Sequence, residues 1–458
     1  MPKRAPTPAV TTRVETGKAQ RDQVPLESLG DLVVDETRPD PVELLVAQDA
    51  RRLASLVPIR HARMRVTPFT FYRGGAAIMA SDLSRTPATD LRVQLCGDAH
   101  LSNFGLFNGA DRRLVFDVND FDETSPGPFE WDLKRLVASV EIAARNNDLT
   151  PKQASTACRA ASKGYRDTLR RVVMSSPLDV HYFRIEVDSL LESDEKLHKR
   201  SRKAIEKATR KDSVRALEKL TELVDGKRRI IANPPLIVPL LDDVDHDEAE
   251  ELREFFHRYA ESLAPHRAAV LRRYRFVDMA HKVVGVGSVG TRCMIVLLES
   301  DQGAPLFLQF KQATTSVLEP YAGSSGFERA GERVVRGQRL MQATGDILLG
   351  WSHFDDEGTI RDYYFRQLWD GKGSVEVDQM GPKRLRNYAR HCGATLALAH
   401  ARTGDGAAIH GYLGDDDTVD HVLAEFARHY ADLNEVDHVA HERAIESGRV
   451  ECAPDPAN

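Results

Sequence analysis

Four carboxylates, Asp117, Asp120, Asp122 and Glu123, crowd into a short stretch just after a loop, CGDAHLSNFG, that carries Asp98 and Asn103. Repulsion makes such a cluster costly unless a cation or a shared proton relieves it, and hard cations such as Mg²⁺ prefer the oxygen ligands that Asp and Asn supply. A metal site is the expectation, with an ordinary acidic turn as the plainer reading. Far downstream, Lys311 sits among mostly apolar neighbours in LFLQFKQA. Burying an ammonium is expensive unless it meets an anion, and a phosphate or a carboxylate would serve. Ahead of it, Gly285, Gly287 and Gly290 spell GxGxxG with Ser288 inside; with 30 glycines in 458 residues the motif alone is weak, and its flanks must decide what it does.

The elements that position these groups follow from pattern. Residues 41–64, PVELLVAQDARRLASLVPIRHARM, have apolar positions at helical spacing, and Arg73 follows in FYRGG. From Leu91 to Glu123 short apolar runs are split by turn residues, which reads as strand, loop, strand, turn, strand. After SPGP a helix opens at about Phe129, and residues 150–280 read as mostly helical. From Lys282 to Asp370 the order is strand, Gly loop, strand, strand, helix, strand, strand, and residues 383–402 and the segment from Thr418 return to helix.

The flanks of the Gly loop separate two chemistries. A dinucleotide-binding turn opens a helix whose N-terminus holds the pyrophosphate, but TRCMIVLLE after Gly290 reads as a strand, which argues against a nicotinamide oxidoreductase. A strand, Gly loop, strand hairpin followed by a lysine strand resembles protein-kinase-like enzymes, in which the loop covers ATP phosphates. That resemblance implies Lys311 as the phosphate lysine and Glu328 or Glu332, on the next helix, as the carboxylate orienting it. The spacing of Asp98 and Asn103 is that of the kinase catalytic loop, and the segment is most similar to the aminoglycoside phosphotransferase and choline kinase-like branch, whose loop reads HGDxHxxN. Gly97, Asp98, His100 and Asn103 match, while Cys96 replaces the first histidine. The resemblance implies Asp98 as the base that takes the acceptor hydroxyl proton, Asn103 as a Mg²⁺ ligand and His100 as a loop brace. NDFDETSPGPFEWDLKRL resembles the branch's metal-aspartate segment and implies Asp120 as the Mg²⁺ ligand and Asp132 as a structural brace, with Asp117 a rival for the metal. Arg73 is a further candidate for anion contact.

These parts stand in rotated order, because the catalytic loop precedes the Gly loop, whereas RDYYFRQLWD and CGATLALAHARTGD read like the stretch that normally leads into a catalytic loop. The expected fold is α+β, a protein-kinase-like bilobal fold, circularly permuted. It comprises a disordered tail (1–40), a helical catalytic lobe (41–280), a Gly-loop β lobe (281–370) and helices completing the first lobe (371–458). RMRVTPFTFYRGG, VGVGSVGTRC and LALAHARTGD also strongly resemble the uncharacterised bacterial family domain of unknown function 2252. The expected cofactors are ATP and Mg²⁺ and the expected activity is phosphoryl transfer to a hydroxyl of an unidentified, small-molecule acceptor. A non-catalytic ATP-binding regulator and a nucleotidyl transferase on the same fold are the alternatives. Lys311, Asp98, Asn103 and Asp120 should converge on one cleft.

Composition narrows the remaining classes. Lys plus Arg total 63 against 69 for Asp plus Glu, a net charge of −6, so a nucleic-acid-coating protein is not expected. The basic segment LHKRSRKAIEKATRK reads as a solvated helix face. No apolar run approaches the roughly 18 residues of a membrane span, and the N-terminus has no apolar signal core, so a cytoplasmic location is expected. Cys96, Cys158, Cys293, Cys392 and Cys452 are scattered and odd in number, which supports neither a disulfide framework nor a cysteine zinc site. The sequence leaves the oligomeric state open.

Overall fold

A computed structural model describes residues 9–186, 213–240, 246–283, 289–356, 358–368 and 373–454. The basic segment near 196–211 and the loop residues Gly285, Gly287 and Ser288 lie outside them.

Residues 10–40, expected as a disordered tail, are folded. Helix α1 (Val10–Ala19) lies so close to a later helix that a Cβ at Gly17 would sit 1.8 Å from the Ala408 carbonyl oxygen, and Arg13 closes on Asp405 at 2.6 Å. Val24, Leu26 and Leu29 are buried beyond it. A few small and apolar residues spaced among charges anchor this segment without a long hydrophobic run. The helix expected over 41–64 is broken in two, α2 (Pro41–Asp49) and α3 (Val57–Arg65), with residues 50–53 as a linker and Pro58 in the first turn of α3, where proline's missing N–H costs nothing. Two further helices, α4 (Pro68–Gly74) and α5 (Ala76–Leu83), lead to the first strands.

The strand, loop, strand, turn, strand reading matches β1 (Arg92–Leu95), β2 (Phe104–Asn108) and β3 (Leu114–Val118). β1 pairs with β4 (Ser125–Pro128), whereas β2 and β3 pair with each other and are flanked by β5 (Ile185–Glu186) and a late strand, β14 (Gly373–Ser374). Helices α6 (Phe129–Asn146) and α7 (Pro151–Val172) form the centre of the larger core.

Residues 213–280 depart from the mostly helical reading. They supply a hairpin, β6 (Thr221–Val224) with β7 (Lys227–Ile230), then β8 (Ile237–Pro239), helix α8 (His246–Glu261) and β9 (Tyr274–Lys282). β8 and β9 join β10 (Cys293–Ser300), β11 (Pro305–Ala313), β12 (Gly350–Asp356) and β13 (Thr359–Gln367) in one antiparallel sheet of order β12-β13-β11-β10-β9-β8. Phe255 of α8 packs with Val296, Leu308, Phe310 and Phe365 in one core, while Ile295, Leu297 and Phe307 join Ala216 and Leu220 in another. The sheet's cores therefore begin with residues near 216, well before the expected boundary at 280. Short amphipathic strands rich in Arg and Lys, such as KRRI, obscured this in the sequence.

Helix α9 (Ala330–Met341) lies between β11 and β12 in the chain, and α10 (Pro382–Thr403), α11 (Gly406–Leu413) and α12 (Thr418–Glu446) return to the larger core. Its contributors run over residues 24–169 and 313–433, the second range including Tyr364 of β13. The whole is α+β. α7 and α10 approach closely through glycine: a Cβ at Gly393 would lie 1.9 Å from the Ala161 carbonyl oxygen, and one at Gly164 2.2 Å from that of Arg390. Helix propensity favours Gly→Ala by about 1 kcal/mol, but neither backbone can swing aside as a side chain would. Gly393→Ala should therefore lose about 1–3 kcal/mol net, read as a lower urea midpoint with an unchanged slope. A neutral or stabilising effect would mean that the helices are not this close.

Candidate active site

The loop between β1 and β2 is held in place by backbone constraint and by one buried carboxylate. Gly97 adopts φ +84°, and a Cβ there would fall 2.2 Å from the Glu123 carbonyl oxygen, so only glycine lets the two loops meet. Asp132, at the start of α6, accepts from the N–H groups of Cys96 at 2.7 Å and Gly97 at 3.0 Å. His400 of α10 places Nε2 3.3 Å from Asp132, and the Tyr165 hydroxyl lies 2.8 Å from His400 Nδ1. Asp132 thus has the bracing position expected of it.

This brace presents Asp98. Its carboxylate receives Arg135 Nε at 2.9 Å and Nη2 at 2.8 Å, with His100 Nε2 at 3.5 Å. Burial raises the Asp98 pKa; Arg135 opposes that rise, Asp120 adds to it and Arg73 opposes it. Burial holds His100 well below the usual histidine range, so it is neutral, and its backbone N–H donates to the Asp98 carbonyl at 2.8 Å. Asn103 turns its amide nitrogen back onto the same carbonyl at 2.8 Å, and its own carbonyl accepts from the Asn119 N–H at 3.0 Å. That last bond sets Asp120 one residue beyond the loop's end.

The sheet supplies the opposite wall. In the antiparallel ladder Lys311 stands opposite Cys293 on β10 and Tyr364 on β13, and strand alternation puts Gln309 and Arg366 on its face. Lys311 is buried and forms an ion pair with Asp122, whose other oxygen accepts from the Tyr364 hydroxyl at 2.7 Å. Burial lowers the Lys311 pKa to about 8; Asp120 and Asp98 oppose this, while Arg366 and Arg52 reinforce it. Lys311 therefore lies within the fields of Asp98 and Asp120, and Asn103 is tied to the Asp98 carbonyl. Arg73 is half-buried within the fields of Asp98, Asp378 and Asp120.

Two expectations about carboxylates are corrected. Neither Glu328 nor Glu332 reaches Lys311: α9 begins at Ala330, leaving Glu328 exposed ahead of it, and Glu332 pairs with Arg336 at 3.2 Å. Asp122 holds the lysine instead, and α9 contributes Arg333, which donates to the carbonyls of Asp122 and Thr314 at 2.7 Å each. Asp117 lies on β3 away from this group, accepting from the Val118 N–H at 2.8 Å in the field of Arg402. Asp120, not Asp117, is within the electrostatic reach of Asp98 and Lys311. Arg135, Asp122 and Arg333 were not singled out by sequence reasoning. Only Asp122 left a signal, as a member of the acidic cluster.

Among the described residues no three His, Cys, Asp or Glu side chains form a ready metal shell. Asp120 and Asn103 carry oxygen donors of the kind that Mg²⁺ prefers. Gly290 is the described member of the glycine motif; it has φ +88°, and its carbonyl accepts from the Leu53 N–H at 2.7 Å. Four cysteines are buried and Cys452 is exposed, all as free thiols. No described helix is long and apolar enough to cross a membrane.

An α+β protein with a buried lysine facing a carboxylate loop is the class that fold and site define. The chain matches the family described as an uncharacterized protein conserved in bacteria (DUF2252) over residues 52–444, and it belongs to that family. No curated protein and no solved structure matches it.

Burial lifts the Asp117 pKa to about 6, with Arg402 opposing the rise. Between about pH 4, the unfolded value, and about pH 6 the native state binds the extra proton, so stability falls as pH rises through that window. Asp117→Asn should remove this fall and stabilise the protein at pH 7 by up to about 3 kcal/mol, read from urea midpoints at pH 4 and 7. Loss of stability at pH 7 would show a charge that the fold needs.

Proposed function

We propose that the protein is an ATP- and Mg²⁺-dependent phosphotransferase that acts on a hydroxyl of a small-molecule acceptor, on a circularly permuted kinase-like fold. The observation that carries this reading is the ion pair of Lys311, on β11, with Asp122, from a loop 189 positions earlier, within the fields of Asp98 and Asp120. Phosphoryl transfer needs positioning and charge neutralisation more than covalent chemistry, and this cleft offers both. Arg135 holds Oδ1 of Asp98, so the other carboxylate oxygen can take the acceptor proton as the hydroxyl oxygen bonds to the γ-phosphorus and the bond to the β-phosphate oxygen breaks. Lys311 exchanges Asp122 for phosphate oxygens. Mg²⁺ on Asp120 and Asn103 would offset the charge of the leaving diphosphate.

Asp98→Asn should leave ATP affinity within a few-fold of wild type while cutting turnover by at least about 10²-fold. Lys311→Ala should weaken both, because its ammonium meets phosphate in the ground and transition states. The acceptor can be sought with γ- and α-labelled ATP in cell extract; transfer of the α label would establish nucleotidyl transfer, and ATP binding with no transfer of either label would make the protein a regulator. Affinity for ATP should also decline as pH rises through about 8, where Lys311 loses its proton, and Lys311→Arg should abolish that dependence. A flat profile for wild type would remove the lysine from the phosphate site.

A further inference from the structure

The linker between α2 and α3 reaches the strand hairpin that carries the glycine motif. Arg52 Nη1 donates to the Val289 carbonyl at 2.6 Å, and the Leu53 N–H donates to the Gly290 carbonyl at 2.7 Å. Val289 is fully buried in a small core with Leu56 and Ile59. These contacts fix the chain just before Cys293, the residue that stands opposite Lys311.

Arg52 has more positive charge than its surroundings balance. Its side chain is 12 % exposed, and its nearest carboxylate, Asp49, lies 3.9 Å from Nε. That carboxylate is already engaged by Arg60 at 2.8 Å and His61 at 2.7 Å. Arg52 Nε is buried and has no hydrogen-bond partner among the described residues, a deficit worth roughly a lost hydrogen bond. The guanidinium is also within electrostatic reach of Lys311, which it repels, and of Glu123, which attracts it. Burial and the neighbouring Arg60 pull its pKa down to about 9. Two cations held together with their carboxylates shared out invite a polyanion, and the planar fork of arginine can grip a carbonyl with one nitrogen while offering others to a phosphate.

We infer that Arg52 is a ligand for the phosphate chain of the nucleotide, brought to the cleft from the N-terminal linker and held there by Val289 and Gly290. The inference rests on the nucleotide-binding reading above. It adds a phosphate contact contributed by neither the β-sheet nor the loop of Asp98.

Calorimetric titration of the full chain with ATP, ADP and AMP in the presence of Mg²⁺ tests it. Arg52→Met should weaken ATP binding about 10- to 100-fold and leave AMP binding within two-fold. Arg52→Lys should recover part of the loss, because it keeps the charge but not the fork. If Arg52→Met does not fold, judged by its thermal transition without nucleotide, the Lys variant decides: ATP affinity reduced several-fold with AMP affinity intact supports the contact, and unchanged ATP affinity overturns it. Equal losses for ATP and AMP also overturn it, since they point to a structural role alone. Wild-type binding with no effect of either variant sinks this inference and leaves the functional reading standing, whereas a wild type that binds none of the three nucleotides overturns both.

Discussion

An ammonium buried in a sheet needs an anion, and here that need joins distant parts of the chain. Lys311 sits on a central strand with no polar neighbour on its own strand beyond two glutamines, and Asp122 meets it from a loop 189 positions away in sequence. Removing two charges from water costs several kcal/mol per ion before attraction offsets it, so the geometry around the pair must be good. Tyr364 holds the second oxygen of Asp122, Arg333 ties down its carbonyl, and strand pairing fixes the direction of the lysine. The same loop carries Asp120 and Glu123, and the Glu123 carbonyl is what Gly97 must pass. The position of Asp98 thus depends, through these contacts, on a lysine on the other wall.

Much of this was legible from residue type and spacing. A glycine before an aspartate, an amide five residues on, and an aspartate opening the next helix are demands of backbone geometry, and backbone geometry is local. Gly97 takes its left-handed conformation and Asp132 its bracing position for that reason, with Asp98 and Asn103 in the loop they hold. The strands around Lys311 were equally plain, since PLFLQFKQA spans β11. Partner choice across the fold was not legible. Glu328 and Glu332 were reasonable partners for Lys311 by proximity in sequence, but the start of α9 sets which of its side chains face inward, and Arg333 does. Arg52 gave no local signal, because the carbonyl it holds, that of Val289, lies 237 positions away in sequence.

The N-terminal segment teaches the same lesson at a larger scale. Composition suggested disorder, since charged and small residues dominate it and no apolar run stands out. Burial of a few side chains and one glycine contact suffices when a surface, here α11, receives the segment. Sequence scans weigh a segment's own hydrophobicity and do not see the surface that receives it.

The close packing of α7 on α10 has a consequence for biosynthesis. The glycine-lined surface of α7 is complete once residue 172 is made, but its partner begins at Pro382. At about 5–20 residues per second, a ribosome takes roughly ten to forty seconds to cover the interval. During that time the sheet and its two cores are synthesised, while α7 waits with its small-residue face uncovered. The larger core can therefore close only after α10 has been made.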